Sequence, residues 1–386
     1  MGKKHLLFAA LLGAACTLAA VFGGACGLAG GPANLLRGAK LTQALHVIDS
    51  QFVERADMDA VADAALRGMA AELDAWSFYM TAAEYADYRL HSANQYRGIG
   101  VTAAACPQGI LLAEVAADTP AHAAGLLPGE ILTALDGESV AGWTAERFRE
   151  KLLDYGEASF TLTVLGTDGG SREVRISTAP VFSSPVTHEL LENDVGYIRL
   201  KNFGTGCAAG AIAAIDELIG RGAAALIFDL RYNGGGYVDE MTRLLDHLLP
   251  EGEIFASRTR SGQETAVASD ARQVELPMAV LVNDGTYSAA ELFAEQLREY
   301  GAAAVVGEPT TGKSRSQLTY TLLDGSALHL SHEAYLTVEG RDLTAEGGII
   351  PDITAELTEE ERAMLYFGRL AHADDGQLAA ALTAVV

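Results

Sequence analysis

Positive charge is scarce in this chain of 386 residues. Twenty-seven Lys and Arg stand against 51 Asp and Glu, a formal net charge of −24. A protein that grips nucleic acid needs cationic surface to displace counterions from phosphates, so nucleic acid is excluded as a partner. Cysteine is scarcer still, with four in all. Cys106 and Cys207 lie in what read as different domains, so they make no disulfide framework. There is no Cys-x-x-Cys or His-x-x-x-His spacing of the kind that holds zinc, so no metal site and no cofactor are expected. Internal repeats and long low-complexity linkers are also missing.

Charge is absent from one stretch altogether. With His5 taken as neutral, no charged residue separates Lys4 from Arg37. Leu6 to Phe22 is almost wholly apolar, long enough to cross most of a bilayer, and residues to Leu28 extend it. Lys3 and Lys4 before it predict an inside N-terminus, which leaves the bulk of the protein outside. Residues 1–37 therefore read as a signal anchor, and the chain as membrane-anchored on the extracytoplasmic face, at a cell surface or in a periplasm. A cleaved signal peptide is the rival reading, because small residues surround Ala25. Cys16 and Cys26 offer a lipid-modified cysteine, but Gly13 and Gly23 stand where Leu is usual, three places back.

What is plentiful is apolar material, 49% of the residues, in a chain too long for one core. Residues 38–92 read as a helical segment. Ala44, Val47, Ile48 and Phe52 recur at helical spacing, as do Leu66, Met69, Ala70 and Leu73, and packing or homodimerisation could use that face. Residues 93–180 read as a small, mostly β domain. Phe160, Leu162 and Val164 alternate with Thr161 and Thr163, and Pro128-Gly129 and Asp136-Gly137 mark turns. Residues 181–355 read as α/β. Val195–Leu200, Ala225–Leu230 and Ala279–Val282 are short apolar runs suited to a buried sheet, with helices near 208–220, 237–249 and 288–300 between them. Residues 356–386 read as a helical tail.

Three segments of the α/β region carry chemistry, each with a plain alternative. In Asn283-Asp-Gly-Thr-Tyr-Ser288-Ala-Ala-Glu291, Ser288 opens a helix after a glycine turn. Ser-x-x-Glu is a capping box, so Ser288 fits a cap, but free N–H groups at a helix start also stabilise an oxyanion. Asp229-Leu-Arg-Tyr-Asn-Gly-Gly-Gly236 runs from a strand into three glycines. It is a flexible turn or a loop that aims N–H groups at a carbonyl, and it lacks the Gly-Lys-Ser/Thr of a phosphate loop. Lys313 follows a strand and a Gly/Pro loop. It is a surface charge unless burial makes it neutral enough to act as a base. A Ser-His-Asp arrangement using His188, His247, His329 or His332 is the rival; none of these sits in a recognisable motif.

In this order the three segments resemble the carboxy-terminal processing proteases, tail-specific serine peptidases of the S41 type. The resemblance runs over about residues 40–353. It aligns the family nucleophile with Ser288 and the general base with Lys313; 313 minus 288 gives the family interval of 25. Gln317 occupies the place of a supporting Gln, and the loop Asp229–Gly236 supplies an oxyanion N–H from Gly235, with Ala289 supplying the other. Leu66–Leu73 is similar to the family's N-terminal helices, Gly125–Ile131 to a PDZ pattern, and Ile349–Ile353 to the end of the protease core. Arg97-Gly98-Ile99-Gly100-Val101 is similar to the carboxylate-binding loop of the PDZ domain, so Gly98, Ile99, Gly100 and Val101 are the implied peptide-binding residues. Ala290, Glu299 and Ser314 depart from the pattern without touching the dyad. Leu153-Asp154-Tyr155 lacks the basic residue with which some relatives sense substrate.

The resemblance implies a multidomain α/β protein: N-terminal helices, an inserted mostly-β PDZ domain, and a ClpP/crotonase-like protease core. It implies a serine endopeptidase acting through a Ser-Lys dyad on protein or peptide substrates with free apolar C-termini. A catalytically inactive PDZ adaptor and a crotonase-like acyl-CoA enzyme are the alternatives. The intact Ser, Lys and Gln weigh against the first, and the PDZ segment and outward topology against the second.

Overall fold

The computed structural model describes residues 30–385, so most of the expected anchor, Leu6–Phe22 included, lies outside the described residues. Among the described residues no helix is long and apolar enough to cross a membrane. The fold is multidomain α/β with mixed sheets and helices. It divides into two compact units: residues up to Thr81 with Tyr320–Leu330, and Ala82–Thr319 with the remainder.

In the first unit the helix Pro32–Gln51 starts on a proline and buries no residue. The helix Met58–Ala71 is capped by Asp57, whose carboxylate accepts from the Asp59 and Ala60 N–H groups. Phe78–Met80 then pairs antiparallel with Ala327–His329, which places the tip of a distant hairpin in this unit.

The second unit holds two cores. Residues 95–182 form a β-rich one. Its main sheet runs in the order Val101–Cys106, Gly109–Val115, Ile131–Leu135, Ser159–Leu165, Ser171–Ser177, with Val101–Cys106 at an edge. Alternation drives every second residue of Ser159–Leu165 inward, so Phe160, Leu162 and Val164 are buried with Ile110, Leu112 and Leu132. The helix Ala145–Leu153, capped by Thr144, adds Phe148 and Leu152 to them.

The other core is a six-stranded sheet whose spatial order follows the chain: β1 (Val186–Leu190), β2 (Val195–Leu200), β3 (Ala225–Asp229), β4 (Met278–Val282), β5 (Ala303–Gly307) and β6 (Ile353–Thr354). Only β1 and β2 are antiparallel; the rest pair in parallel. Parallel strands need crossovers, and α1 (Cys207–Gly220), α2 (Val238–Leu248) and α3 (Ala289–Glu299) lie in these connections. They cover one face with Leu218, Leu244, Leu245, Phe293 and Leu297. The other face (Tyr197, Ile227, Ala279, Leu281) is covered by Leu378, Ala381 and Val385 of α4 (Gly376–Val385). With both faces buried, β3 and β4 are apolar throughout except for Asp229.

Candidate active site

The carboxyl ends of β3, β4 and β5 place three loops side by side. After β4 the chain turns at Asn283, whose side-chain oxygen accepts from the N–H groups of Gly285 (3.1 Å) and Tyr232 (2.9 Å). Thr286 accepts from the Asn283 N–H and donates to the Leu230 carbonyl. This pinned turn delivers Ser288 at φ 62°, ψ −128°, ahead of α3. A non-glycine residue in so sparsely populated a region costs on the order of 1–3 kcal/mol and persists only where its surroundings dictate it. Of the expected capping box the Glu291 half is formed, its carboxylate accepting from the Ser288 N–H, while the Ser288 side chain makes no cap hydrogen bond. As the first helical residue, Ala289 has no intrahelical acceptor for its N–H.

Glu291, in the first turn of α3, is fully buried and collects the site. One carboxylate oxygen accepts from the Ser288 N–H at 3.0 Å and the Lys313 N–H at 2.8 Å. The other accepts from the Gly312 N–H at 2.6 Å and the Thr310 hydroxyl. Burial pushes the Glu291 carboxyl up from its usual range, while these four donors pull the other way by favouring the ionised form.

Lys313 is buried, at 8% exposure, which is unusual for a lysine without a structural or chemical reason. Its carbonyl accepts from the Tyr335 hydroxyl at 2.5 Å, and its ammonium nitrogen lies 5.6 Å from the Tyr287 ring centre. Tyr335 was not picked out from the sequence; an isolated Tyr in a strand carries no signal. Burial pushes its phenol far up, so it stays protonated. Gln317 lies on the strand Arg315–Thr321, with its amide nitrogen 3.5 Å from the Ser331 hydroxyl.

The glycine loop meets the Ser288 turn directly. Gly235 has φ +85°, and a Cβ there would stand 2.8 Å from the Ser288 Cβ and 2.9 Å from the Ala289 nitrogen. Only glycine fits, and the loop backbone lies against the helix start. The Gly235 N–H, however, donates to the Asn233 side chain at 2.8 Å, so the donor expected from the sequence is already engaged.

Beneath the loop, Arg231 is buried between two carboxylates. It donates to Asp229 at 3.0 and 2.7 Å and to Asp375 at 3.0 Å, and Gln377 takes a further bond. Burial works against ionised Asp229, but the adjoining Arg231 guanidinium wins and holds its carboxyl below the usual range. The C-terminal segment thus braces the loop from below.

His188 and His247 lie beside Glu217 and Asp216 on α1. His329 packs on Phe78, and His332 stands 3.8 Å from Glu333. In the β-rich core, Gly98 pairs with Ala179, Ile99 is buried, and Gly100 sits at φ +84° with Thr119 where a side chain would go. The Gly100 and Ile99 carbonyls accept from Ala116 and Ala121. Val101 begins the edge strand, beside a cleft whose walls include Gly100, Thr102 and Glu114. Among the described residues no three His, Cys, Asp or Glu are grouped to hold a metal ion.

Residues 194–355 match peptidase family S41. The carboxy-terminal processing protease CtpA of Bacillus subtilis (strain 168) is 29% identical over 323 residues, covering 83% of this chain and 69% of the relative. The carboxy-terminal-processing protease of Bartonella bacilliformis is 29% identical over 319 residues, 80% of this chain and 73% of that one. Among solved structures, a putative S41 protease from Bacteroides fragilis overlays with a TM-score of 0.50 at 18% identity, covering 81% of this chain and 86% of that one. That last likeness is one of fold.

Proposed function

From a chain that carries a peptidase family S41 domain and is homologous over most of its length to carboxy-terminal processing proteases, we propose a serine endopeptidase whose nucleophile is Ser288 and whose general base is Lys313. Neutral Lys313 takes the hydroxyl proton of Ser288 as Oγ attacks the peptide carbonyl. The oxyanion is held by the Ala289 N–H and a glycine-loop N–H; Gly235 serves once its hydrogen leaves Asn233. The C–N bond then breaks, the leaving amine takes the proton back from Lys313, and an ester on Ser288 remains. Water attacks that ester and gives its proton to Lys313. The carboxylic acid departs as Ser288 regains its proton.

The observation that carries this reading is the shared Glu291 oxygen, which ties the backbones of Ser288 and Lys313 together in a buried site. Gln317 supports Lys313 in the proposal. The β-rich core at 93–180 acts as a PDZ domain. A substrate C-terminus adds to the open edge of Val101–Cys106, with its carboxylate at the Gly98–Val101 N–H groups. An extracytoplasmic location rests on the sequence of residues 1–37, and a homodimer through residues 38–92 on their apolar face.

Cleavage of an unstructured protein by the purified chain and by Ser288→Ala tests the reading. The variant is expected to fold and not to cut, since losing a cap costs only about 0.5–2 kcal/mol while losing a nucleophile closes the covalent route. Wild-type rates from the variant would remove Ser288 from the mechanism. A folded wild type that never cuts would favour a peptide-binding adaptor.

A further inference from the structure

Tyr287, immediately before the nucleophile, takes part in neither the acyl transfer nor the oxyanion contacts described above. We propose that it is a positioning residue: its ring is a strut between the lysine loop and the glycine loop that fixes both against Ser288. The proposal rests on the Ser288–Lys313 reading.

The backbone of Tyr287 already belongs to the glycine loop, because its N–H donates to the Asn233 carbonyl at 3.1 Å. Its neighbour Thr286 belongs to the lysine loop, accepting at its carbonyl from the Thr311 N–H at 3.2 Å. The side chain repeats the arrangement. The ring stands 5.6 Å from the Lys313 nitrogen, within the range where a ring and a cation attract. The phenol lies over Gly234, where a Cβ would meet its oxygen at 2.5 Å and the adjoining ring carbon at 2.6 Å.

Gly234 is the telling residue. Unlike Gly235 and Gly236, it does not adopt a positive φ, so its backbone does not call for glycine. What calls for glycine there is the Tyr287 phenol. A second aromatic ring, Tyr232, packs on Gly285 in the same way, where a Cβ would meet it at 2.6 Å. Attraction between ring and cation favours the ammonium form, so the ring does not make Lys313 a better base. Its contribution is to limit where a long, four-carbon side chain places its nitrogen, and a misplacement of one ångström in such a site costs about a hundredfold in rate.

The test is a double-mutant cycle on the full chain, with kcat and KM measured on an unstructured fluorogenic peptide and the rate of Ser288 modification followed with diisopropyl fluorophosphate. Tyr287→Phe keeps the ring and is expected to stay within about threefold of wild type. Tyr287→Ala is expected to lower kcat and the modification rate about a hundredfold, in line with the cost of misplacement, with little change in KM. Gly234→Ala is expected to be as severe alone, yet to add little to Tyr287→Ala, because the clash is then gone. A Tyr287→Ala enzyme with normal kcat, one changed only in KM, or independent effects of the two substitutions would overturn the proposal while leaving the dyad in place. A wild type that neither cuts nor reacts with the fluorophosphate would overturn the dyad and the strut together.

Discussion

Ser288 and Lys313 donate their backbone N–H groups to one and the same oxygen, Oε2 of Glu291, at 3.0 and 2.8 Å. The proposed nucleophile and base come from loops after different strands, 25 positions apart (313 minus 288). A single carboxylate therefore sets their separation, and the buried charge is held by four donors from both sides.

Glu291→Gln is expected to separate them. An amide keeps the shape but presents NH2 to one pair of donors, and each buried donor left without an acceptor costs about 1–3 kcal/mol. Cleavage is expected to fall at least about a hundredfold, the scale of a one-ångström misplacement, with a lowered melting temperature. Glu291→Gln turning over at the wild-type rate would show that the shared oxygen is not what positions the pair.

Asp375 is expected to matter although it lies far along the chain from the three loops. It is one of two carboxylates on Arg231, and all three groups are buried. Removing one partner from a buried ion pair costs about 3–5 kcal/mol, because the other charge is left uncompensated. Asp375→Ala is therefore expected to loosen both the Asp229–Gly236 loop and α4, with lower activity and faster hydrogen exchange in residues 376–385. Unchanged exchange in that segment would mean that the sheet contacts of Leu378, Ala381 and Val385 hold α4 unaided.

Acid is expected to weaken the β-rich core at one identified place. Glu130 is buried and accepts from Arg172 at 2.5 and 2.8 Å and from the Leu127 N–H at 3.0 Å. Hydrogen bonding from Arg172 holds its carboxyl below the usual range, with burial opposing. A carboxyl whose folded value is depressed stabilises the fold above its unfolded value, about 4.3, and loses that contribution as pH falls through the lower folded value. Glu130→Gln should thus melt below wild type at neutral pH, and the gap should close as the pH is taken below 4.3. A gap that is constant with pH would assign the effect to packing instead.

Much of this architecture was legible in the sequence, and the reasons differ by element. Val195–Leu200, the helix near 208–220 and the alternating strand through Phe160 follow from periodicity alone, since each buries one face or both. Missed altogether were Gly252–Thr259 and the exposed Glu264–Ser269, whose pairing partners are distant and whose pattern is only weakly apolar. Ala327–Leu336 runs for ten residues, and pairing of its second half with Gly252–Thr259 is a contact the local pattern does not encode. Ser288 and Lys313 could be named from motifs. Tyr335, Asp375 and the wedge of Tyr287 over Gly234 could not, because each acts through a contact between segments that no local pattern encodes. At Gly235 motif and structure part: the loop lies against the start of α3, but a side chain two residues back, Asn233, holds the N–H expected to be free.

Lys313→Arg is the substitution on which the chemistry is most exposed. A buried lysine can serve as a cation that steadies the oxyanion or as an amine that takes a proton, and the two roles predict opposite results. As a base, Lys313 must be neutral at the moment of attack. An unperturbed lysine loses its proton near 10.4, so cleavage should rise with pH along a single limb as the amine form grows. Arginine keeps the positive charge and much of the reach but stays protonated at every pH a protein tolerates, so Lys313→Arg should be inactive along the whole profile. Lys313→Ala should be inactive too, and neither should unfold the chain, because the backbone N–H and carbonyl that bind Glu291 and Tyr335 remain in both. Single-turnover cleavage from neutral to alkaline pH, with circular dichroism as the check on folding, separates the roles. Substantial turnover by a folded Lys313→Arg would make the residue an electrostatic support. The proton acceptor would then have to be sought elsewhere, with His329 and His332 the first histidines to replace.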